Sequence, residues 1–530
     1  MAAAGDRRGM RTIDENRSGW PAGATLRDSR GSVATIFAVA MVPVVIAAGI
    51  GIDMARATFN RSALQDALDA TALAVAHLPA NTPQATIDAK AAGWLNANLN
   101  NPAMGAITLS SVLTNGQVVL TASTSVPTTL TAIAGYTSVP IAATSTVKWG
   151  LGHVEVALVL DNTGSMAGTK LSRLKTAAAD LVDTLADSTD STDANALKIG
   201  VVPFAATVKL GSSYKTSTWM AGVQPTAYGA DLFNGSTNVN RFTMLDDIDE
   251  SWGGCVESRP APYDVQDTAP SSGAPKTMFV PYFAPDEPDD NTVVESVSHG
   301  HNNYFSFGNN YLPDEGAANW SWQARQGNKN KYDEDIAGGG GPNAGCGMQS
   351  LVRLTTNMTT VKNKITAMNA SGNTNIPIGL MWGWHLLSPN LPFSDGAAYT
   401  SADTKKFVVL LTDGDNTNDV ADNPNKSNYS ALGYLWQGRL LNASGVALDE
   451  NSTAAERTAA MDARMVVACA NMKAQGITIY TVRIDVSGTS PAALKSCASS
   501  PDKFYDIDSS GLSSAFAQIA GSIGRLRISN

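Results

Sequence analysis

From Gly31 to Ile52 the chain runs for 22 residues, GSVATIFAVAMVPVVIAAGIGI, without one charged side chain. At a rise of ~1.5 Å per residue a helix over this run reaches ~33 Å, about the thickness of a bilayer's hydrocarbon core. Arg7, Arg8, Arg11, Arg17, Arg27 and Arg30 all precede it. The positive-inside rule then places the N-terminus in the cytoplasm and everything after Asp53 on the far side of the membrane. A cleaved signal peptide is the competing reading, but the run is long for one and lacks a small-x-small site followed by a polar break. The helical pattern instead continues through MARATFNRSALQDALDATALAVAHL, with Leu64, Leu68 and Ala72 on one face. A membrane helix leading straight into a stalk is expected, with Pro43 a site for a kink.

A chain of 530 residues is too long for one ordinary domain. Hydrophobic residues at 43% suffice for a core, while charged residues at only 16% leave the surface to Ser, Thr, Asn and Gly. The net charge of −10 and the lack of a Lys/Arg stripe argue against nucleic acid as a partner. Cys255, Cys346, Cys469 and Cys497 form no Cys-x-x-Cys pair, and none of the five histidines sits in a His-Glu-x-x-His arrangement, so zinc is disfavoured. An even cysteine count in an exported chain suggests two disulfides. Four cysteines allow three pairings; Cys255–Cys346 and Cys469–Cys497 are favoured because each pair is local.

The rest of the chain changes period as it goes. Residues 1–30 read as disordered, and residues 31–104 as membrane helix and stalk. Residues 105–150 alternate with period two, with Asn115-Gly116 as a hairpin turn, and predict a small β-rich unit. From 151 to 530 buried strands alternate with helices: VEVALVLD (154–161), a helix through Leu171, Leu174, Ala178, Leu181 and Leu185, then ALKIGVVPFAATV (196–208). KKFVVLLTDG (405–414), a helix near 453–474, ITIYTVRID (477–485), a short helix near 490–498, FYDI (504–507) and a helix over 511–526 follow. This alternation predicts an α/β fold with a doubly wound, mostly parallel sheet. The stretch from about 211 to 350, rich in Gly, Pro, Asn, Asp and aromatics, holds no helical period and reads as an ordered insertion.

Ligands of open parallel sheets bind outside the carboxyl ends of the strands. Two strands here end in acidic, hydroxyl-rich loops, Asp161-Asn162-Thr163-Gly164-Ser165-Met166 and Thr412-Asp413-Gly414-Asp415-Asn416. A carboxylate at the end of a buried strand needs a cation, a basic partner or a catalytic task. Asp161, Thr163 and Ser165 alternate, so one tight loop can turn three oxygens to one side, with Gly164 permitting the turn. Carboxylate and hydroxyl oxygens suit a hard divalent cation, magnesium first, with manganese or calcium as alternatives. Taken alone, an Asp-x-Thr-x-Ser loop is also a common way to cap a helix. Asp415 and Asn416 read as turn formers; Asp485 at the end of a later strand reads as a turn former first and, alternatively, as a group supporting the metal ligands.

Asp-x-Thr-Gly-Ser after one buried strand and Thr-Asp-Gly after another resemble the von Willebrand factor A family and its metal-ion-dependent adhesion site. That resemblance covers about residues 153–525, interrupted by the insertion. It implies a threonine from an intervening loop, here Thr374 in SGNTNIPIGLMWGWHLLSP, and so a metal set of Asp161, Thr163, Ser165, Thr374 and Asp413. Thr163 stands where serine is more usual and keeps the hydroxyl. A second, narrower resemblance covers RGSVATIFAVAMVPVVIAAGIGIDMARATFNRSALQDALDATALAVA, which is similar to the N-terminal helix of TadE/TadG-like pilus-assembly proteins of the Tad (Flp pilus) type. It implies a single-pass protein of a bacterial inner membrane, its C-terminal domain periplasmic or extracellular, with protein partners in a pilus or secretion assembly. Prepilins of that system are cleaved after a glycine followed by glutamate at the fifth position; Ile36 stands there after Gly31, so such processing is not expected.

Three function classes stay open at this point. The first is a binding and assembly protein in which a partner's carboxylate completes the metal's coordination. The second is an envelope component whose metal only stabilises loops, and the third a metal-dependent hydrolase. Enzymatic chemistry has little support: Gly164-Ser165-Met166-Ala167-Gly168 is not a nucleophile elbow, no P-loop is present, and His153, His299, His301 and His385 show no pairing with a nucleophile. The aromatics Trp252, Tyr304, Tyr311, Trp320 and Trp322 form either a recognition face or the insertion's own core.

Overall fold

The computed structural model describes residues 30–528 apart from 77, 79–81, 100–102, 115–116, 149–152, 190–192, 222–231, 234–238, 290–291, 297–301, 306, 315–320, 337–339, 402 and 486–491. The expected disordered segment (all but Arg30), the Asn115-Gly116 turn and Trp320 lie outside the described residues. The chain divides into two compact units, 1–71 with 92–110 and 120–145, and 72–91 with 111–119 and 146–530.

The apolar run belongs to one helix, Arg30–Ala76, of 47 residues, with Pro43 inside it. Its first half offers Ile36, Phe37, Val39, Val42 and Val44 to the surroundings, as a helix facing lipid does. The first charge after the run, Asp53, is buried in its unit by the chain at 129–131. Its carboxylate accepts the N–H groups of Thr129, Leu130 and Thr131 and, at 2.6 Å, the Thr131 hydroxyl. A second helix, Gln84–Asn98, falls where only stalk was anticipated. Ile87, Ala91 and Leu95, four residues apart and all buried, form its one apolar stripe. Strands β1 (Thr108–Thr114), β2 (Gln117–Pro127) and β3 (Ser138–Lys148) make a three-stranded sheet in that order.

The larger sheet has eight strands. β4 (His153–Asp161), β5 (Leu197–Phe204), β6 (Val208–Lys209), β7 (Cys255–Val256), β10 (Val352–Thr355), β11 (Thr404–Thr412), β12 (Thr478–Ile484) and β13 (Phe504–Ile507) take the order β13-β12-β11-β4-β5-β6-β7, with β10 also on β5. A separate two-stranded ribbon, β8 (Thr292–Ser296) with β9 (Asn302–Phe305), lies in the insertion. The five strands from β13 to β5 are parallel; β6 and β10 run antiparallel to β5, and β7 antiparallel to β6.

Strand β4 shows why the sheet is covered on both faces. Val156, Leu158 and Leu160 join a core with Leu171, Leu174 and Leu181 of the helix Thr169–Asp187 and Phe516 and Ile519 of the helix Leu512–Ile528. Ala157 and Val159 point the other way, into a core with Leu380, Trp382 and Leu386 of the helix Ile376–Leu387. Alternate residues feeding opposite cores turn a half-buried strand pattern into a continuous apolar run. Gly383 lets the Ile376–Leu387 helix lie close on the strand, since a Cβ there would sit 2.5 Å from Val159. On that face the insertion contributes Trp219, Phe242, Trp252, Phe279, Phe283, Tyr311 and Tyr332 to the same core. Its regular helices are short, Arg241–Asp247 and Trp322–Gln326. Disulfides join Cys255 to Cys346 and Cys469 to Cys497.

Candidate metal centre

The order of the larger sheet reverses at β4: the chain leaves it for β5 on one side and returns to β11 on the other. A crevice at the carboxyl ends of the strands belongs at such a switch point. The register pairs Leu160 with Leu411, so Asp161 and Thr412 end neighbouring strands side by side.

Asp161 is fully buried. Its Oδ1 accepts the Thr163 N–H at 2.9 Å and the Thr163 hydroxyl at 2.6 Å, and its Oδ2 accepts the Thr412 hydroxyl at 2.7 Å. Burial pushes its pKa up to about 6 against the downward pull of the hydroxyl donors, and the nearby Asp413 charge pushes it the same way as burial. After Asp161 the chain makes a single 3-10 turn, Gly164–Met166, and enters the helix Thr169–Asp187 through Gly168 at φ +81°, a conformation that favours glycine. The turn leaves Ser165 on the surface, its hydroxyl donating to Asp413 Oδ1 at 2.6 Å. Lys170, in the first turn of that helix, holds Asp413 Oδ2 at 2.6 Å.

Proton counting exposes what this set lacks. A hydroxyl has one proton to give. Thr163 gives its proton to Asp161 and Ser165 gives its own to Asp413, yet the two hydroxyl oxygens stand 2.9 Å apart. With both carboxylates ionised, no proton remains for that contact, and lone pair faces lone pair. Either a proton on Asp161 or a cation drawing on those lone pairs completes the site. The donors are all hard oxygens, so the residues present fit a hard divalent ion.

Thr374 arrives on the loop before the helix Ile376–Leu387. That loop is sewn to the Asp161 loop by Ser371 N to Asn162 O at 2.8 Å, Gly164 N to Gly372 O at 2.9 Å, and the Asn162 side-chain amide to Asn369 O. Thr374 is buried, its main chain is fixed by Thr417 at both N–H and C=O, and no hydrogen bond of its hydroxyl is found among the described residues. Asn416 does more than shape a turn. Its Oδ1 accepts the Ile376 N–H at 2.9 Å and its amide reaches Asp462 at 2.8 Å, so it anchors the helix that follows Thr374. Asp485 lies at the same sheet edge, at φ +52°, and accepts the Ser509 N–H at 2.7 Å.

Two contributors were not assigned from sequence, Thr412 and Lys170. Thr412 was legible in principle, since it directly precedes Asp413 on a strand parallel to β4. Lys170 carried no signal beyond its place in the first turn of the next helix. Of the aromatics, Trp252 and Tyr311 are core residues whose polar ends are spent on the Cys255 and Ala284 carbonyls, so neither can offer a face to a partner. For Tyr304 the backbone alone is described, in β9; Trp322 stays half-exposed.

The sheet order and the crevice at its switch point define a doubly wound α/β fold, the fold class that the von Willebrand factor A resemblance implies. Residues 31–78, most of them in the N-terminal helix, match the family described as "Putative Flp pilus-assembly TadE/G-like". No curated protein matches the chain in sequence. Among solved structures, similarity extends to the vWF domain of the type V pili tip protein Mfa5 from Porphyromonas gingivalis, at 12% identity and TM-score 0.33, over 72% of this chain and 97% of that one. It extends also to the pilus adhesin RrgA from Streptococcus pneumoniae, at 11% identity and TM-score 0.31, over 80% of this chain and 50% of that one. A third is the mussel byssus proximal thread matrix protein 1 with a zinc-occupied MIDAS motif, at 11% identity and TM-score 0.27, over 70% of this chain and 46% of that one.

Proposed function

We propose that this protein is a membrane-anchored, metal-dependent binding protein of a Tad-type pilus or related surface assembly, and not an enzyme. The observation that carries the reading is the proton shortfall between Thr163 and Ser165, beside a carboxylate that burial holds short of charge compensation. Asp161, Thr163, Ser165, Thr374 and Asp413 would hold the ion, magnesium before manganese or calcium by the hardness of the donors. Bound there, a divalent cation supplies an electrophilic position that a partner's Asp or Glu carboxylate can complete.

The chain's own residues do the rest. Thr412 and the Thr163 N–H fix the Asp161 carboxylate, and Lys170 fixes Asp413. The surface position of Ser165 keeps the site open to a macromolecule. The uncharged part of the N-terminal helix anchors the domain in the inner membrane, with the arginine-rich N-terminus in the cytoplasm and the metal domain outside it. The test is co-purification of the full-length protein from its own membranes in magnesium and in EDTA, for the native chain and for Asp161→Ala. A specific partner should be present with magnesium and lost in both other cases while the thermal unfolding transition survives. Partner recovery unaffected by both chelation and Asp161→Ala would overturn the reading.

A further inference from the structure

A second concave site is formed jointly by the insertion and the segment that follows β11. A cleft of about 270 Å³ is lined by Trp322, Gln323, Gln326, Gly327, Trp436 and Glu450, with Leu232 and Pro424. Both indoles are half-exposed, and both are braced. Trp436 lies nearly parallel to the buried Tyr434, with 13° between the planes, and its N–H is tied to Asn425 Oδ1 at 3.0 Å. Trp322 opens a short helix and packs beside Phe307.

Under the indoles lies a buried polar floor. Asn425 uses its whole hydrogen-bonding capacity: its amide donates to Gln326 Oε1 at 2.8 Å and Glu287 Oε1 at 3.0 Å, and its oxygen accepts from Gln326 and Trp436. Gln326, only 2% exposed, is locked by this reciprocal amide pair at 2.8 and 3.1 Å. One N–H and one carbonyl lone pair of Gln326 are left over, on opposite edges of its carboxamide. Gln323 and Glu450 add exposed polar groups at the rim.

We propose that this cleft binds a neutral pyranose with equatorial hydroxyls, the glucose or N-acetylglucosamine type of ring, as part of a glycan. Such a ring presents flat C–H faces that pack on indoles, and a belt of vicinal hydroxyls that alternately donate and accept. The locked carboxamide keeps one donor and one acceptor free, and a ring hydroxyl can pair with either; preorganisation lowers the cost of binding. Glu450 at the rim disfavours anionic sugars. None of these residues belongs to the proposed metal set, so this site works without the ion.

The experiment titrates the full-length protein in lipid nanodiscs, free of glycoside detergent, with cellobiose, N,N′-diacetylchitobiose and, as the anionic control, sialyllactose. Indole fluorescence and saturation-transfer NMR are the readouts. Saturable binding of one neutral disaccharide, weakened about tenfold in Trp436→Ala and Trp322→Ala, is expected. Gln323→Ala, an exposed change that leaves the packing intact, should weaken it about threefold. EDTA should leave the titration unchanged, which separates this site from the metal centre. Absence of saturable binding by both neutral disaccharides, binding insensitive to Trp436→Ala in a folded variant, binding insensitive to Gln323→Ala, or loss of binding on chelation would each overturn the proposal.

Discussion

The two ends of β4 carry carboxylates that are equally buried and differently served. At its start Glu155 is 2% exposed and meets the Lys406 ammonium from the next strand, which also donates to Leu387 O at 2.7 Å, while the Ala397 N–H supplies a further bond at 2.9 Å. At its end Asp161 is 0% exposed and meets only neutral donors. The protein completes the charge of one carboxylate from its own residues and gives the other neutral donors alone; under the proposed function a bound ion completes it. A buried charge without a partner costs several kcal/mol, so a fold keeps such a position where a bound ion returns that cost.

The largest effect should come from breaking the self-sufficient end. Lys406→Met strands a buried Glu155 and should cost about 3–5 kcal/mol of stability, read from urea unfolding. Asp161→Asn removes a charge that has no protein cation, so in EDTA it should cost less than about 1 kcal/mol. A cost for Asp161→Asn equal to that of Lys406→Met would end the comparison.

Next in size is the response to the ion itself. At a magnesium concentration about a hundredfold above its dissociation constant, the wild type should gain ~2.7 kcal/mol, seen as a higher thermal midpoint than in EDTA. Asp161→Asn and Asp413→Ala should show no such gain, whereas Lys406→Met should keep the gain on its lower baseline.

Lys170 sharpens the contrast further, because its ammonium already occupies one oxygen of Asp413. Lys170→Met frees that oxygen and removes a like charge from beside the ion, so divalent affinity should rise about threefold to tenfold, or ~1 kcal/mol. Isothermal titration with magnesium or manganese reads this directly. A weaker affinity would mean that Lys170 organises the site more than it competes with the ion.

What the sequence revealed of this arrangement follows from which forces act locally. The strand β4 was readable because burial on both faces writes a continuous apolar run, and the loop after it because Asp, Thr and Ser alternate around a glycine. The helix Gln84–Asn98 is not legible in the sequence because its stripe is only Ile87, Ala91 and Leu95 among small and polar residues. Glu155 and Lys406 were invisible as a pair: they lie 251 positions apart, and only the parallel register of β4 and β11 brings them together. For Trp252 and Tyr311 a recognition face and a place in the insertion's core both stayed open, because composition does not record direction; packing turned them inward. Trp436 carries no such signal for the opposite reason: it lies outside the aromatic stretch yet on the wall of the same cleft as Trp322.

A third carboxylate at the same sheet edge sets the lower bound on these effects. Asp485 follows β12, the strand beside β11, but unlike Asp161 it is solvated, and it accepts the Ser509 N–H at 2.7 Å. Bonds to Ser509 hold its pKa below the usual carboxylate value. A folded-state pKa below the unfolded one means that the ionised form is the one the fold favours. Its contribution to stability is therefore fully present above the unfolded value of ~3.9 and is lost as the pH falls through the lower folded value. Asp485→Asn should lower the thermal midpoint slightly at neutral pH, by less than any change above, and the gap to wild type should close on acidification below about pH 4. Magnesium should leave that gap unchanged, because this carboxylate has its partner within the fold. A gap that widens with magnesium would make Asp485 part of the ion's surroundings and move the boundary between the self-sufficient and the ion-dependent carboxylates one strand outward.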